Sequence, residues 1–339
     1  LPTFAGVSTL VLQTAFLGDV VLTTPLLSAL ATRGPVDVVV TPAAAPLLAS
    51  HPAVRTVIPF DKRRGDAGLA GLRRLAGRLR RMGYAEVFLA QGSHRSAALV
   101  RLAGIPRRVG FQGSAGRWAC TELVAYDRSR HHAARLLALA GIDAPAAPRP
   151  TLAPDASARA MADALLAMRR WPARPLIAVA PGSVWATKRW PHYPALAAAL
   201  AGWAELVVLG APDDGPLATA IHDAAPDAVL DATGRLPLPA SAALLAACAA
   251  LVTNDSLPLH LASAMGTPTV AIFGPTVPAF GFGPLAPASV VVEHPALPCR
   301  PCDAHGPRRC PLGHFRCMRE LPAERIVAAL AALGVAPPS

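Results

Sequence analysis

Three polar clusters in this 339-residue chain carry residue types that can do chemistry. In the first, Gly18-Asp19 follows an apolar run and precedes Thr23-Thr24-Pro25, so a carboxylate stands where a strand gives way to a helix. Gly18 suits a tight turn there, and Asp19 either caps the helix or faces a ligand and accepts a proton from an attacking hydroxyl. In the second, Pro181-Gly182-Ser183 leads through Thr187-Lys188-Arg189 to Trp190-Pro191. Small residues with open backbone N–H groups, hydroxyls and a lysine before a helix suit phosphate; the plainer reading is exposed cations around a packed Trp190. In the third, Thr253-Asn254-Asp255-Ser256 breaks a buried strand at a helix start, with His260 one turn beyond Ser256. Amides, a hydroxyl and an acid then converge where an anion would sit, unless Asp255 and Ser256 are only caps and His260 only a core histidine.

These clusters need strands to present them. Short apolar, β-branched runs alternate with Ala/Leu/Arg stretches of helical period, the pattern of a parallel α/β sheet. Strands are predicted at 7–12, 36–40, 55–58 and 86–90, then at 176–180, 205–209, 228–230, 251–253 and 269–273. A helix is predicted near 156–170, and Pro-rich connectors lie at 144–150 and 171–175. The boundary therefore falls between about 145 and 175. The resulting division is an N-terminal Rossmann-like domain at 1–160, a linker at 161–175, a second Rossmann-like domain at 176–322 and a C-terminal helix and tail at 323–339. In such folds ligands bind beyond the carboxyl ends of the strands, where all three clusters fall.

With 53% hydrophobic and 16% charged residues, the chain has the material for large cores and is no disordered tail. No apolar run reaches the roughly 18 residues of a membrane span, so a soluble, cytoplasmic protein is expected. The apolar start, Leu1 to Leu12, lacks a basic leader and reads as a first core strand. Net charge is +11, and residues 1–150 carry all of it, with 19 Lys/Arg against 8 Asp/Glu; residues 151–339 hold 13 of each. Lys62-Arg63-Arg64, Arg73-Arg74, Arg78 and Arg80-Arg81 form a cationic stretch, read either as solvated helix surface or as attraction to an anionic partner. It has almost no aromatics for base stacking, so nucleic acid is not expected. Only Lys62 and Lys188 are lysines, which favours a role for a compact ammonium at Lys188. Of six cysteines, Cys299, Cys302, Cys310 and Cys317 crowd together, and their spacing admits structural zinc with His305 or His314 as substitute ligands, or else reduced, packed thiols.

Taken together, Gly18-Asp19 with Thr23-Thr24-Pro25, Pro181-Gly182-Ser183 to Lys188-Arg189-Trp190-Pro191, Thr253 to Ser256 with His260, Phe273-Gly274-Pro275-Thr276 and the cysteine tail resemble the ADP-heptose:lipopolysaccharide heptosyltransferases, especially the heptosyltransferase II type. The resemblance spans nearly the whole chain in order and spacing. It implies a GT-B fold, two Rossmann-like domains facing a central cleft, and inverting transfer without catalytic metal. It also implies roles: Asp19 as general base, Lys188 balancing charge on the ADP leaving group, and Ser183 on phosphate. Asp255, with the Ser256 and Leu257 amides, would hold heptose hydroxyls and diphosphate, with His260 beside them; Asp214 would meet ribose and Leu236 adenine. Gly18, Lys62, Arg63 and Arg64 would take the anionic lipopolysaccharide-core acceptor at the inner membrane surface. No cofactor is required beyond the donor. Leu257-Pro258 departs from the small residue usual there; the Leu257 amide remains available, but its side chain would narrow the donor pocket. Two alternatives stay open: a related glycosyltransferase with another sugar nucleotide or acceptor, and a nonenzymatic anion- or nucleic-acid-binding protein.

Overall fold

A computed structural model describes residues 8–337. The part of the first predicted strand before Ser8 lies outside them. Strands β1 (Thr9–Leu12), β2 (Val36–Val40), β3 (Thr56–Pro59), β4 (Glu86–Leu89), β5 (Arg107–Phe111) and β6 (Glu122–Val124) form one sheet. Strands β7 (Leu176–Ala180), β8 (Glu205–Val208), β9 (Val229–Asp231), β10 (Ala250–Asn254), β11 (Thr269–Phe273) and β12 (Ser289–Glu293) form another. All pairings are parallel, in the orders β3-β2-β1-β4-β5-β6 and β12-β11-β10-β7-β8-β9. Renumbered from its own first strand, the second sheet has the order of the first, the doubly wound order of a Rossmann unit. Strand order reverses beside β1 and β4 in one sheet and beside β7 and β10 in the other, so the loops after those four strands flank the ligand crevice of each unit.

The central strands are apolar on both faces because both are covered. Val11 packs with Leu26, Leu30 and Leu136 on one side, while Leu10 and Leu12 pack with Leu72, Leu75 and Leu79 on the other. The helix Gly68–Met82 supplies those leucines and leaves Arg73, Arg74, Arg78, Arg80 and Arg81 in solvent, ending at Gly83 with φ 69°. The arginine run is thus the solvated face of an amphipathic helix. At the amino edge, buried Asp37 takes Arg55 and the Tyr84 hydroxyl at 2.6 Å each. In the second unit one core joins Ile177, Val252 and Ile272 to Trp190, Met318 and Ile326.

The chain divides after Ala153. The stretch expected as linker, 161–175, is tied to the second unit: Ala156–Leu166 is a helix packed on the helix Leu238–Ala246, and Glu205 of β8 binds Arg169 Nε at 2.8 Å and the amides of Arg170 and Trp171. The C-terminal helix, Ala323–Ala332, packs on Tyr193–Leu200 of the second unit. Among the described residues no helix is long and apolar enough to cross a membrane.

Candidate functional site

In the first unit the carboxyl edge of β1 opens into a braced loop. The Gln13 amide donates to Thr23 Oγ1 at 3.2 Å, its carbonyl accepts from Ala15 N, and Thr23 Oγ1 donates to the Asp19 carbonyl at 2.7 Å. Gly18 makes no turn; it is the second residue of the helix Leu17–Leu22, and Asp19 is the third. Asp19 is therefore not the N-cap, a place held by Phe16, whose amide bonds back to the Asp19 carboxylate. Burial outweighs that bond and raises the Asp19 carboxyl to about 6. His132, first residue of the helix His132–Leu139, lies with Nε2 3.9 Å from Asp19 Oδ1.

Beside this loop Lys62 Nζ donates to Thr14 Oγ1 at 2.6 Å, and Thr14 donates to Gln91 Oε1 after β4. Burial and the Arg95 guanidinium both hold the Lys62 ammonium below its ordinary range. Lys62 and Arg95 both lie over the Phe60 ring. Arg63 and Arg64 are exposed, their backbone amides bound to Asp61 Oδ1. The structure thus sets Lys62 by the β1 loop and leaves the two arginines on the loop surface.

In the second unit the corresponding crevice is lined by the loops after β7 and β10. Lys188 is 8% exposed and its ammonium meets Asp255 Oδ2 at 2.6 Å; Thr276 Oγ1 donates to the same oxygen at 2.8 Å. Three loops, after β7, β10 and β11, are thereby joined through one carboxylate. Ser256 is the N-cap of the helix Leu257–Met265 but makes no side-chain cap, its hydroxyl standing 3.5 Å from Thr253 Oγ1. In the first turn of that helix Pro258 has no N–H and Leu259 N donates to the Ser256 carbonyl at 3.2 Å, so the amide left without a partner in the helix is that of Leu257. His260 is buried on the same helix. Ser183 Oγ accepts from Trp185 N at 3.3 Å. Asp214 accepts from Ala211 N at 3.0 Å, stands 3.9 Å from Arg189, and lies so close over Gly182 that a Cβ there would be 2.3 Å from its Oδ2. Leu236 is half-buried just before the helix Leu238–Ala246, at the carboxyl edge of β9.

Sequence reasoning missed three supports. Thr276 was visible only as part of a motif. Asn254 is fully buried, its Oδ1 accepting from Trp190 N at 3.1 Å and Tyr193 OH at 3.3 Å, its Nδ2 donating to the Pro181 carbonyl at 2.8 Å. Asn254→Ala is expected to cost on the order of 3 kcal/mol by stranding these groups, read as a lower denaturation midpoint. A change under about 0.5 kcal/mol would show that the staple carries no weight. Arg300, hidden between two cysteines, binds the carbonyls of Phe273, Gly274, Thr276 and His294 and the Glu293 carboxylate.

The cysteine segment packs on the same loop. Cys302 N donates to the Pro275 carbonyl, Thr187 Oγ1 to that of Pro307, and Gly306, at φ 86°, leaves only 3.2 Å between a Cβ and Lys188 Cε. Cys299, Cys302, Cys310 and Cys317 are all free thiols. Cys299 Sγ lies 3.9 Å from His314 Nε2, and Cys302 donates to the Cys299 carbonyl. Among the described residues no group of three or more His, Cys, Asp or Glu side chains is placed to hold a metal ion.

Two doubly wound units, with a buried carboxylate at the switch point of one and a buried Lys188–Asp255 pair at that of the other, have the architecture of the GT-B class. Residues 72–310 match glycosyltransferase family 9 (heptosyltransferase). The lipopolysaccharide heptosyltransferase 2 of Salmonella typhimurium is 30% identical over 80% of this chain and 84% of its own. The lipopolysaccharide heptosyltransferase 1 of Pseudomonas aeruginosa is 32% identical over 86% and 85%. A crystal structure of the family 9 glycosyltransferase from Veillonella parvula aligns with TM-score 0.86 at 23% identity over 96% of each chain. The structure of Escherichia coli ADP-heptose lps heptosyltransferase II gives 0.79 at 25% identity over 96% and 98%. The chain belongs to glycosyltransferase family 9, the heptosyltransferases.

Proposed function

We propose that this enzyme transfers L-glycero-D-manno-heptose from ADP-heptose to an inner-core lipopolysaccharide acceptor, with inversion and without a catalytic metal. The observation that carries the reading is the Lys188–Asp255–Thr276 cluster at the switch point of the second unit. Its support is full-length likeness to relatives named as lipopolysaccharide heptosyltransferases. A solved relative, Escherichia coli WaaC, is described with ADP. The donor diphosphate lies by Lys188, Ser183 and the amides of Ser256 and Leu257, with Asp255 and His260 toward the sugar, Asp214 toward ribose and Leu236 at adenine. Gly18 and Lys62, with Arg63 and Arg64 at the loop surface, receive the anionic acceptor. Asp19 takes the hydroxyl proton as the new bond forms at the anomeric carbon and the bond to the ADP oxygen breaks; Lys188 stabilises the departing charge. The cationic first half draws the protein to the anionic membrane face bearing the acceptor, each basic residue near the surface contributing about 1 kcal/mol.

Calorimetric titration with ADP, ADP-heptose, UDP and GDP, free of divalent metal, tests the donor. Binding confined to the two adenine ligands is expected. Preference for UDP or GDP would keep the fold and overturn the donor. Binding that appears only on adding a divalent ion would overturn metal independence.

A further inference from the structure

We infer that His132 is a positioning residue for Asp19, its Nε2–H directed at Oδ1 so that, with the Phe16 amide, it holds the carboxylate in one orientation toward the acceptor hydroxyl. The inference rests on the reading of Asp19 as the base and deepens it. Asp19 and His132 are 113 positions apart in the chain, yet the fold sets Nε2 3.9 Å from Oδ1, with the two side chains 9% and 18% exposed. Contacts of this kind are commonly long before substrate binds and tighten in the complex.

Both partners are fixed from behind. Asp19 sits on a loop braced by Gln13 and Thr23, and its carboxylate already accepts the Phe16 amide. His132 opens a helix capped by the His131 ring, which accepts Ala133 N at 3.2 Å. The same helix is anchored by Arg135, whose guanidinium binds the carbonyls of Asp127 and Arg128 and the Tyr126 hydroxyl at 2.8 Å each. A carboxylate with two oxygens in distinct surroundings is a better base than one free to turn, because the lone pair that takes the proton is held in one direction. An imidazole N–H also favours the ionised carboxylate over the acid.

Charged groups on and beside the helix of His132 have partners of their own. Arg130 pairs with Asp127 and Asp143, and Arg33 binds the Ala140 carbonyl at the far end of the helix. Arg107 of β5 is engaged by Glu86 and Glu122, and Arg108 by the carbonyls of Ile105, Pro106 and Ala119. The helix Thr24–Ala31, packed on the same helix, carries no charged side chain. His132 is the titratable side chain within ion-pair distance of Asp19, while Lys62, beside the same β1 loop, donates to Thr14 and lies near Arg95.

The test is the pH profile of kcat/KM for wild type, His132→Leu, His132→Gln and Asp19→Asn, with donor affinity and thermal unfolding measured alongside. His132→Leu is expected to lower kcat about tenfold and to move the acid limb up by about one pH unit, with donor affinity unchanged. His132→Gln, which keeps an N–H donor, is expected to restore the limb. If His132→Leu does not fold, His132→Asn, with its shorter amide, takes its place and should show the same shift. An unmoved acid limb in the folded variant, with Asp19→Asn inactive, overturns the role of His132 alone. An active Asp19→Asn overturns the base itself.

Discussion

Asp19→Asn is expected to lower turnover by roughly 10²–10⁴-fold while leaving donor binding intact, the loss that follows when a positioned base is removed. The same substitution should stabilise the protein. Burial raises the Asp19 carboxyl from 3.8 to about 6, so the folded chain holds a proton that the unfolded chain would release between those values. Stability of the wild type therefore falls as pH rises through that window. Above it the buried carboxylate costs about 1–3 kcal/mol relative to a neutral amide. Asp19→Asn should show a higher melting temperature at pH 8 and none at pH 3.5. Activity runs the other way: only the ionised form can accept a proton, so wild-type kcat/KM should fall as pH drops below about 6. Near-normal turnover in the asparagine variant would end the assignment. A melting temperature unchanged at both pH values would place the carboxylate in water.

Lys188→Ala is expected to reduce kcat by roughly 10²–10³-fold, the scale measured when one preorganised charge-stabilising group is removed from a catalytic site. It should also weaken ADP binding, because the ammonium would be met by the diphosphate in the ground state as well. The substitution removes the cation from Asp255, a side chain 11% exposed that would keep the Thr276 hydroxyl as its donor. Some stability is therefore lost with it, and Lys188→Arg separates the two effects. Arginine preserves charge, but its planar fork does not fit the space of a compact ammonium beside Gly306, so it should recover stability better than rate. Full turnover in Lys188→Ala would remove the charge-balancing role.

The strands were legible where burial on both faces made them continuous apolar runs, as in Val36–Val40, Leu176–Ala180 and Thr269–Phe273. Three escaped notice. β5 opens on Arg107 and Arg108, which serve ion pairs and loop carbonyls; β6 and β12 are sheet edges with exposed residues and little periodic signal. Among candidate site residues, Asp19 and Asp255 could be found because an acid after an apolar run is locally conspicuous, and Lys188 because the chain has only two lysines. Their partners could not. Thr276 reaches Asp255 across 21 positions, and His132 reaches Asp19 across 113, distances that only the folded sheet order closes. Gly18 misled for the opposite reason: a glycine before an acid suggests a turn, but the strand ends early enough for the helix to include it.

The chain writes nearly all its positive charge as guanidinium, and its two ε-amines, Lys62 and Lys188, stand one in each unit at the carboxyl edge of the sheet. Of the two, Lys62 is the one whose ammonium is held below its ordinary range, by burial and the Arg95 guanidinium. Acylation of side-chain amines is therefore confined to one lysine in each unit, with Lys188 shielded by its carboxylate. A surface label that scatters over most proteins becomes here a two-channel reporter, one residue for each unit.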